Sequence, residues 1–223
     1  MTIITIIGSG NMATAIGTRA AKHGHAVELM SSNTAKAQVL AAQIGNGAVV
    51  GTFGAKPAGD IVILAVLYAG AVDVVAHYGD ALAGKILVDI TNPFSADASG
   101  VVTTPGNSVA QQIAAVAPYG AHVVKSFNTI YGGAIAQDKP VDVFLAGDSA
   151  EAKASFAALQ ASMDMRPLDA GALQMAYALE WAGILLVSVS SNGAGFNIAL
   201  GAAVLQGNFS HLARFCRGPG PFR

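Results

Sequence analysis

The chain begins with Thr2 to Ile7, a continuous run of β-branched residues that breaks at Gly8-Ser9-Gly10. A strand with one wet face alternates apolar and polar residues, so an unbroken run of strand length predicts a strand covered on both faces. Parallel sheets flanked by helices provide that environment. Residues Asn11 to Lys22 then place Met12, Ala15, Ile16 and Ala20 at nearly helical spacing, and Gly24 supplies the stop. The opening 24 residues thus read as strand, glycine turn and helix.

The same alternation continues. Strands are predicted at Ala26–Met30, Ala48–Gly51, Ile61–Val66, Ile86–Ile90, His122–Ser126 and Val141–Ala146. Helices are predicted at Thr34–Gln43, Ala71–Tyr78, Ser108–Ala117 and Ala150–Met163. Short connections between them predict a Rossmann-type α/β fold, a doubly wound parallel sheet with right-handed crossovers. After Leu168 the pattern becomes helical over Leu173 to Ser190, passes Asn192-Gly193-Ala194-Gly195 and resumes to about Val204, which predicts a C-terminal αα-hairpin. The expected organisation is a dinucleotide-binding unit over 1–170, a hairpin closing its cleft over 171–205 and a tail over 206–223.

Composition removes several function classes. Of 223 residues, 53% are hydrophobic and 11% charged, with a formal net charge of −1 and no Lys/Arg-rich run. The basic field needed for nucleic acid or an anionic membrane surface is therefore missing, and neither partner is expected. The apolar surplus calls for burial in a subunit interface, so a homo-oligomer, in the simplest case a homodimer, is expected. The single cysteine, Cys216, can neither close an internal disulfide nor complete a CxxC metal site, and no metal is expected. The N-terminus lacks a basic region ahead of its apolar run, and the apolar stretch Ala182–Val189 lies close to Glu180 and Ser190, so a cytoplasmic protein without a membrane span is expected.

Gly8-x-Gly10-x-x-Ala13 stands between the first strand and helix, where a pyrophosphate can bind. Gly8 permits the tight turn, Gly10 lets backbone approach the ligand and Ala13 lets the helix pack closely. The helix N-terminus then offers unpaired N–H groups to phosphate oxygens. Strand two ends in Ser31-Ser32-Asn33 instead of the acidic residue that holds a ribose 2′-hydroxyl. Those hydroxyls and that amide, with Lys36 one turn later, suit a 2′-phosphate and hence NADP(H), although Ser32 or Asn33 could equally cap the next helix. Glu28 lies two residues inside the strand and is discounted as a ribose ligand. Three further strand ends carry candidate binding residues: Ala65-Val66-Leu67-Tyr68, Asp89 to Pro93, and Lys125 to Thr129.

The stretches GSGNMATAIG, Ser31-Ser32-Asn33, GKILVDITNP, HVVKSFNTI, VFLAGDSAEAK, RPLDAGAL and LEWAGILLVSVSSNGAGFNIAL together resemble the F420-dependent NADP oxidoreductases and the reductase domains of the STEAP metalloreductases. The resemblance implies NADP(H) held by Gly8 to Met12 and Ser31 to Asn33, with nicotinamide near Ala65, Val66, Asn92 and Pro93. It implies a second pocket, for coenzyme F420 or a flavin, made by Ser126, Phe127, Asn128, Thr129 and Ile130 and by Asn192, Gly193, Ala194 and Gly195. Where many members of this family have Ser-Arg, this chain has Ser31-Ser32.

Hydride exchange between two cofactors needs orientation and exclusion of water more than a protein nucleophile, so no catalytic acid or base is assigned. The histidines, His23, His25, His77, His122 and His211, are read as structural or exposed. Two alternatives remain open. A reductase of a small carbonyl, imine, ferric or flavin substrate would need a proton donor, for which Tyr68 or Tyr131 is the candidate. A sensor would bind NADP(H) without turnover.

Overall fold

A computed structural model describes residues 1–203. His211, Cys216 and the tail fall outside the described residues, as does the end of the expected hairpin at Val204 and Leu205. Among the described residues, eight strands form one sheet in the order β3-β2-β1-β4-β5-β6-β7-β8. They are β1 (Ile3–Ile7), β2 (Ala26–Met30), β3 (Val49–Val50), β4 (Ile61–Leu64), β5 (Ile86–Asp89), β6 (His122–Ser126), β7 (Val141–Gly147) and β8 (Met165–Asp169). The first six follow the Rossmann order, with the direction of winding reversing between β1 and β4. β1 is central and parallel to both neighbours, with Ile4 opposite Val27 on one side and Ile61 on the other. Its residues Ile4 to Ile7 are all buried, as the unbroken run requires.

The helices are α1 (Asn11–Lys22), α2 (Thr34–Ile44), α3 (Tyr68–Tyr78), α4 (Val109–Val116), α5 (Gly132–Ala136), α6 (Ala150–Ser162) and α7 (Ala176–Val189). Strand side chains alternate between two cores. Ile4, Ile6, Ile61 and Ile63 pack with Ile16 of α1, Leu40 of α2, Ile135 of α5 and Phe156 of α6. Ile7, Val62 and Leu64 pack with Val75 of α3, Ile113 of α4 and Ala176 of α7. Both faces are therefore dry, which is why β4 reads IVIL without alternation.

Three features depart from the sequence reading. β7 runs antiparallel to β6, with Lys125 opposite Ala146. A parallel return must travel the length of a strand, about 16 Å for five residues. The connection from β6 to β7 contains only the five-residue α5, which spans about 7.5 Å. The fourteen residues between β6 and β7 make no full-length crossover helix, and the chain re-enters the sheet from the edge at which β6 leaves it. The thirteen-residue α6 is long enough to carry it back, so β8 is parallel to β7. β8 is a strand that the sequence reading does not include; it contains Pro167, and as the edge strand it has no outer partner for the missing N–H.

The third departure is the hairpin. Its first arm is present as a 3-10 turn at Leu173–Met175 followed by α7. The second arm is not helical among the described residues. The helix ends in a π-type turn, Ser190–Ala194, where Gly193 takes φ 114° and Gly195 φ 73°. Residues 198–200 then run extended beside the segment after β6. The N–H of Tyr131 donates to the carbonyl of Ile198, and that of Leu200 donates to the carbonyl of Thr129. Glycines at positive φ end helices readily, and the backbone groups released find partners in Thr129 and Tyr131. The helical run Leu173–Ala194 is long and apolar enough, by length and composition alone, to cross a membrane, and 39% of its most apolar window is buried against the domain.

Candidate functional site

The carboxyl ends of β1, β4 and β5 open onto a cleft of about 870 Å³ lined by Gly8 to Met12, Ala65 to Gly70 and Ile90 to Asn92. It lies where the winding reverses, the position at which an open α/β sheet binds ligands. The two glycines of its floor are glycine for different reasons. Gly8 has φ +133°, and a Cβ there would sit 2.1 Å from the carbonyl oxygen of Ala65. The fold alone excludes a side chain. Gly10 has φ −97° and ψ −173°, open to any residue, and a Cβ there would meet no protein atom within 4 Å. Nothing in the protein demands glycine at Gly10, and the space above it is open to a ligand.

Two helices begin at this cleft, and neither is capped by a side chain. α1 starts behind Gly10 and α3 behind Leu67, and neither has an acidic residue in its first turn. By contrast α2, α4 and α6 begin with Asn33, Ser108 and Ser149, whose side chains accept from backbone N–H groups. Free N–H groups and the positive ends of two helix dipoles therefore converge on one opening, an arrangement that takes an anion. This is the fit expected for a pyrophosphate.

Beyond β2 the floor continues through Ser31, whose hydroxyl lies 3.2 Å from that of Ser9 and accepts from the N–H of Asn33. The Asn33 side-chain oxygen Oδ1 caps α2 by accepting from the N–H of Lys36 at 2.9 Å, so the capping alternative holds for Asn33. Ser32 and Lys36 are exposed, and Lys36 lines a groove of about 320 Å³ with Ser9, Thr14 and Gln43. Glu28 turns inward, accepting from the hydroxyl of Thr5 at 2.6 Å and the N–H of Ala58 at 2.9 Å, and is unavailable to a ribose.

At the other end, past β5 and β6, polar groups are engaged beneath the surface. Lys125 and Asp89, both wholly buried, form an ion pair at 2.9 Å. The Lys125 ammonium also donates to the carbonyl of Thr91, and the N–H of Thr91 donates to Asp89 at 2.9 Å. Asn92 donates to the backbone carbonyl of Asn128 and accepts from its side-chain amide, which also donates to the carbonyl of Leu179 in α7. Glu180, fully buried, accepts from the N–H of Val109 at 2.8 Å and from the hydroxyl of Thr103. Burial pushes its carboxyl above the ordinary range near 4.5, opposed by the Thr103 hydroxyl and the nearby Lys125 ammonium. The sequence reading passed over Lys125 as a strand-end polar residue and used Glu180 only as a charge beside an apolar run. A lone lysine two residues before a polar loop carries no mark of an interior partner.

The residues expected to line a second pocket are placed differently from one another. Ser126 donates to the carbonyl of Phe144 and accepts from Gln160, and Phe127 meets Phe156 edge to face at 5.8 Å. Thr129 and Ile130 are also buried, while Asn192 to Gly195 form an exposed turn. Neither group lines the second large cavity, of about 720 Å³, which borders Asn11 and Met12, shared with the first cleft, and Tyr131, Gly132, Gly133, Ala136 and Phe196. Pro93 is likewise buried, outside the first cleft. Five buried side-chain polar atoms among the described residues have no hydrogen-bond partner in the protein, and four belong to Thr91, Asn128, Thr129 and Tyr131. Unmet hydrogen-bonding capacity is thus concentrated just beyond β5 and β6, on the edge that carries both cavities.

Residues 3–93 match the family model described as NADP oxidoreductase, coenzyme F420-dependent. The chain is 30% identical over 181 residues to the metalloreductase STEAP3 of Rattus norvegicus, a match covering 79% of this chain and 35% of that protein. It therefore spans about a third of that curated relative. Among solved structures, a hypothetical protein from Sinorhizobium meliloti superposes with a TM-score of 0.72 at 28% identity, covering 79% of this chain and 88% of the other. A protein from Arthrobacter sp. FB24 described as an F420-dependent NADP-reductase gives 0.75 at 24% identity, covering 92% and 100%. The reductive aminase of Aspergillus terreus, solved with NADPH, gives 0.58 at 24% identity, covering 85% and 61%. The strands, the glycine turn and the two uncapped helices that build the cleft fall within residues 3–93, the stretch that is similar to the F420-dependent NADP oxidoreductase family model.

Proposed function

We propose that the chain is an NADP(H)-dependent oxidoreductase that exchanges a hydride with coenzyme F420 or a flavin-like ring. Gly10 carries this reading: a glycine that the fold does not need, at the mouth of two uncapped helices, is accounted for by a pyrophosphate lying against it. In this reading the adenosine half runs toward Ser31, Ser32 and Lys36, whose hydroxyls and ammonium hold the 2′-phosphate. The other half runs over Ala65 and Val66 toward Tyr68, Thr91 and Asn92. When bound, the dinucleotide supplies or takes the hydride; the protein supplies position and dryness. Met12 and Asn11, which border both cavities, hold the two ligands side by side, and Tyr131 and Phe196, edge to face at 5.5 Å, wall the second.

A second reading has one observation in its favour. The Tyr131 hydroxyl is buried, unpartnered within the protein and beside the second cavity, so it could protonate the product of a small carbonyl or imine. Titration with NADPH and NADH, followed by NADPH oxidation with F420, with FMN and with a cyclic imine, separates the readings. Turnover with F420 that survives Tyr131→Phe supports cofactor-to-cofactor transfer. Imine turnover that falls about 100-fold in the same variant selects the second reading. Tight NADPH binding with no turnover on any acceptor identifies a sensor.

A further inference from the structure

Thr91 combines a fixed backbone with a free side chain. Its N–H donates to Asp89 and its carbonyl accepts from Lys125, the wholly buried ion pair that joins β5 to β6. Both backbone groups are therefore held by charges that cannot move to water. Its hydroxyl, in a residue only 4% exposed, has no hydrogen-bond partner in the protein, although Thr91 lines the 870 Å³ cleft. A buried hydroxyl without a partner lowers the stability of the fold, so a chain that keeps one gains something from it elsewhere. The adjacent Asn92 cannot offer the same service freely, because both ends of its amide are engaged by Asn128.

Thr91 lies on the β5 side of the cleft. A dinucleotide whose pyrophosphate lies at Gly10 and whose adenosine lies toward β2 must direct its second base toward β4 and β5. We infer that Thr91 is a specificity-determining residue whose hydroxyl hydrogen-bonds the carboxamide of the nicotinamide ring and so sets which face of the ring looks toward Met12 and the second cavity. A carboxamide offers two N–H donors and one acceptor, and a hydroxyl can serve as either partner. The inference rests on the NADP(H) reading above.

The test uses NADPH and 2′-phospho-ADP-ribose, which keeps the adenosine half and the pyrophosphate but lacks the nicotinamide. Thr91→Val is nearly isosteric and removes the hydroxyl. The expected result is a melting temperature equal to or above that of the wild type, an NADPH affinity about tenfold weaker, and an unchanged affinity for the fragment. Thr91→Ser restores NADPH affinity. A hydroxyl with a merely structural role would lower the melting temperature and leave the ratio of the two affinities unchanged. Retained NADPH affinity in Thr91→Val, or parallel weakening of both ligands, overturns the assignment while leaving the dinucleotide site intact. A wild-type chain that binds neither ligand overturns the NADP(H) reading and this assignment together.

Discussion

At residue scale, the turn after β1 separates what the fold requires from what a ligand requires. An alanine at Gly8 would meet the Ala65 carbonyl at 2.1 Å on a backbone of φ +133°. Gly8→Ala is expected to cost about 3 kcal/mol or more, read as a lower urea midpoint, before any question of binding arises. At Gly10 the backbone suits any residue, so Gly10→Ala is expected to keep or raise stability by about 0.5–1 kcal/mol through the unfolded chain. Gly10→Val should fold equally and weaken NADPH about 100-fold, close to 2.7 kcal/mol, in the same titration. Equal NADPH affinity in Gly10→Val and the wild type would remove the pyrophosphate from this turn. The glycine pattern was legible in the sequence because spacing carries it. The unpaired hydroxyls of Thr91 and Tyr131 were not, since a threonine's lack of a partner depends on what surrounds it.

Elements were legible wherever periodicity determines them. The strands β1, β2, β4, β5 and β6 lie within a few residues of their predicted bounds, and in β1, β4 and β5 a dry face on each side leaves a nearly unbroken apolar or β-branched run. Connections between elements were less so: the reversal of β7 leaves no mark in the local pattern, and the extended course of 198–200 depends on the partners it finds at Thr129 and Tyr131. Arg19 shows how the second half of the chain is tied to the first. Buried in α1, it donates to the carbonyls of Met163, Ile135, Lys139 and Asp164, which terminate α5, α6 and the turns beside them. Replacing it with methionine keeps the apolar stem and strands four carbonyls. Arg19→Met is expected to cost about 3–5 kcal/mol in urea denaturation, and a loss under 1 kcal/mol would mean that those carbonyls find other partners.

For the whole molecule, Glu180 joins parts that the sequence keeps far apart. From α7 it holds the start of α4 through Val109 and the loop ahead of it through Thr103. Its carboxyl is raised by burial, so the folded state binds its proton more tightly than the unfolded chain does. Its favourable contribution is therefore complete below the ordinary carboxyl range near 4.5 and is lost as pH rises through the raised value. Glu180→Gln should remove that dependence, giving a urea midpoint that falls less than the wild type's between pH 4.5 and 8; parallel curves would show that Glu180 is not raised. By itself the sequence determined the α/β class, the central strand and the glycine turn that follows it, because each is set by local spacing and by the chemistry of glycine and apolar runs. Only the tertiary structure decided the antiparallel junction, the lost second arm of the hairpin, the buried Lys125–Asp89 pair and the position of the second cavity. Those depend on contacts between residues tens of positions apart, and distance along the chain leaves no periodic trace of which side chains will meet.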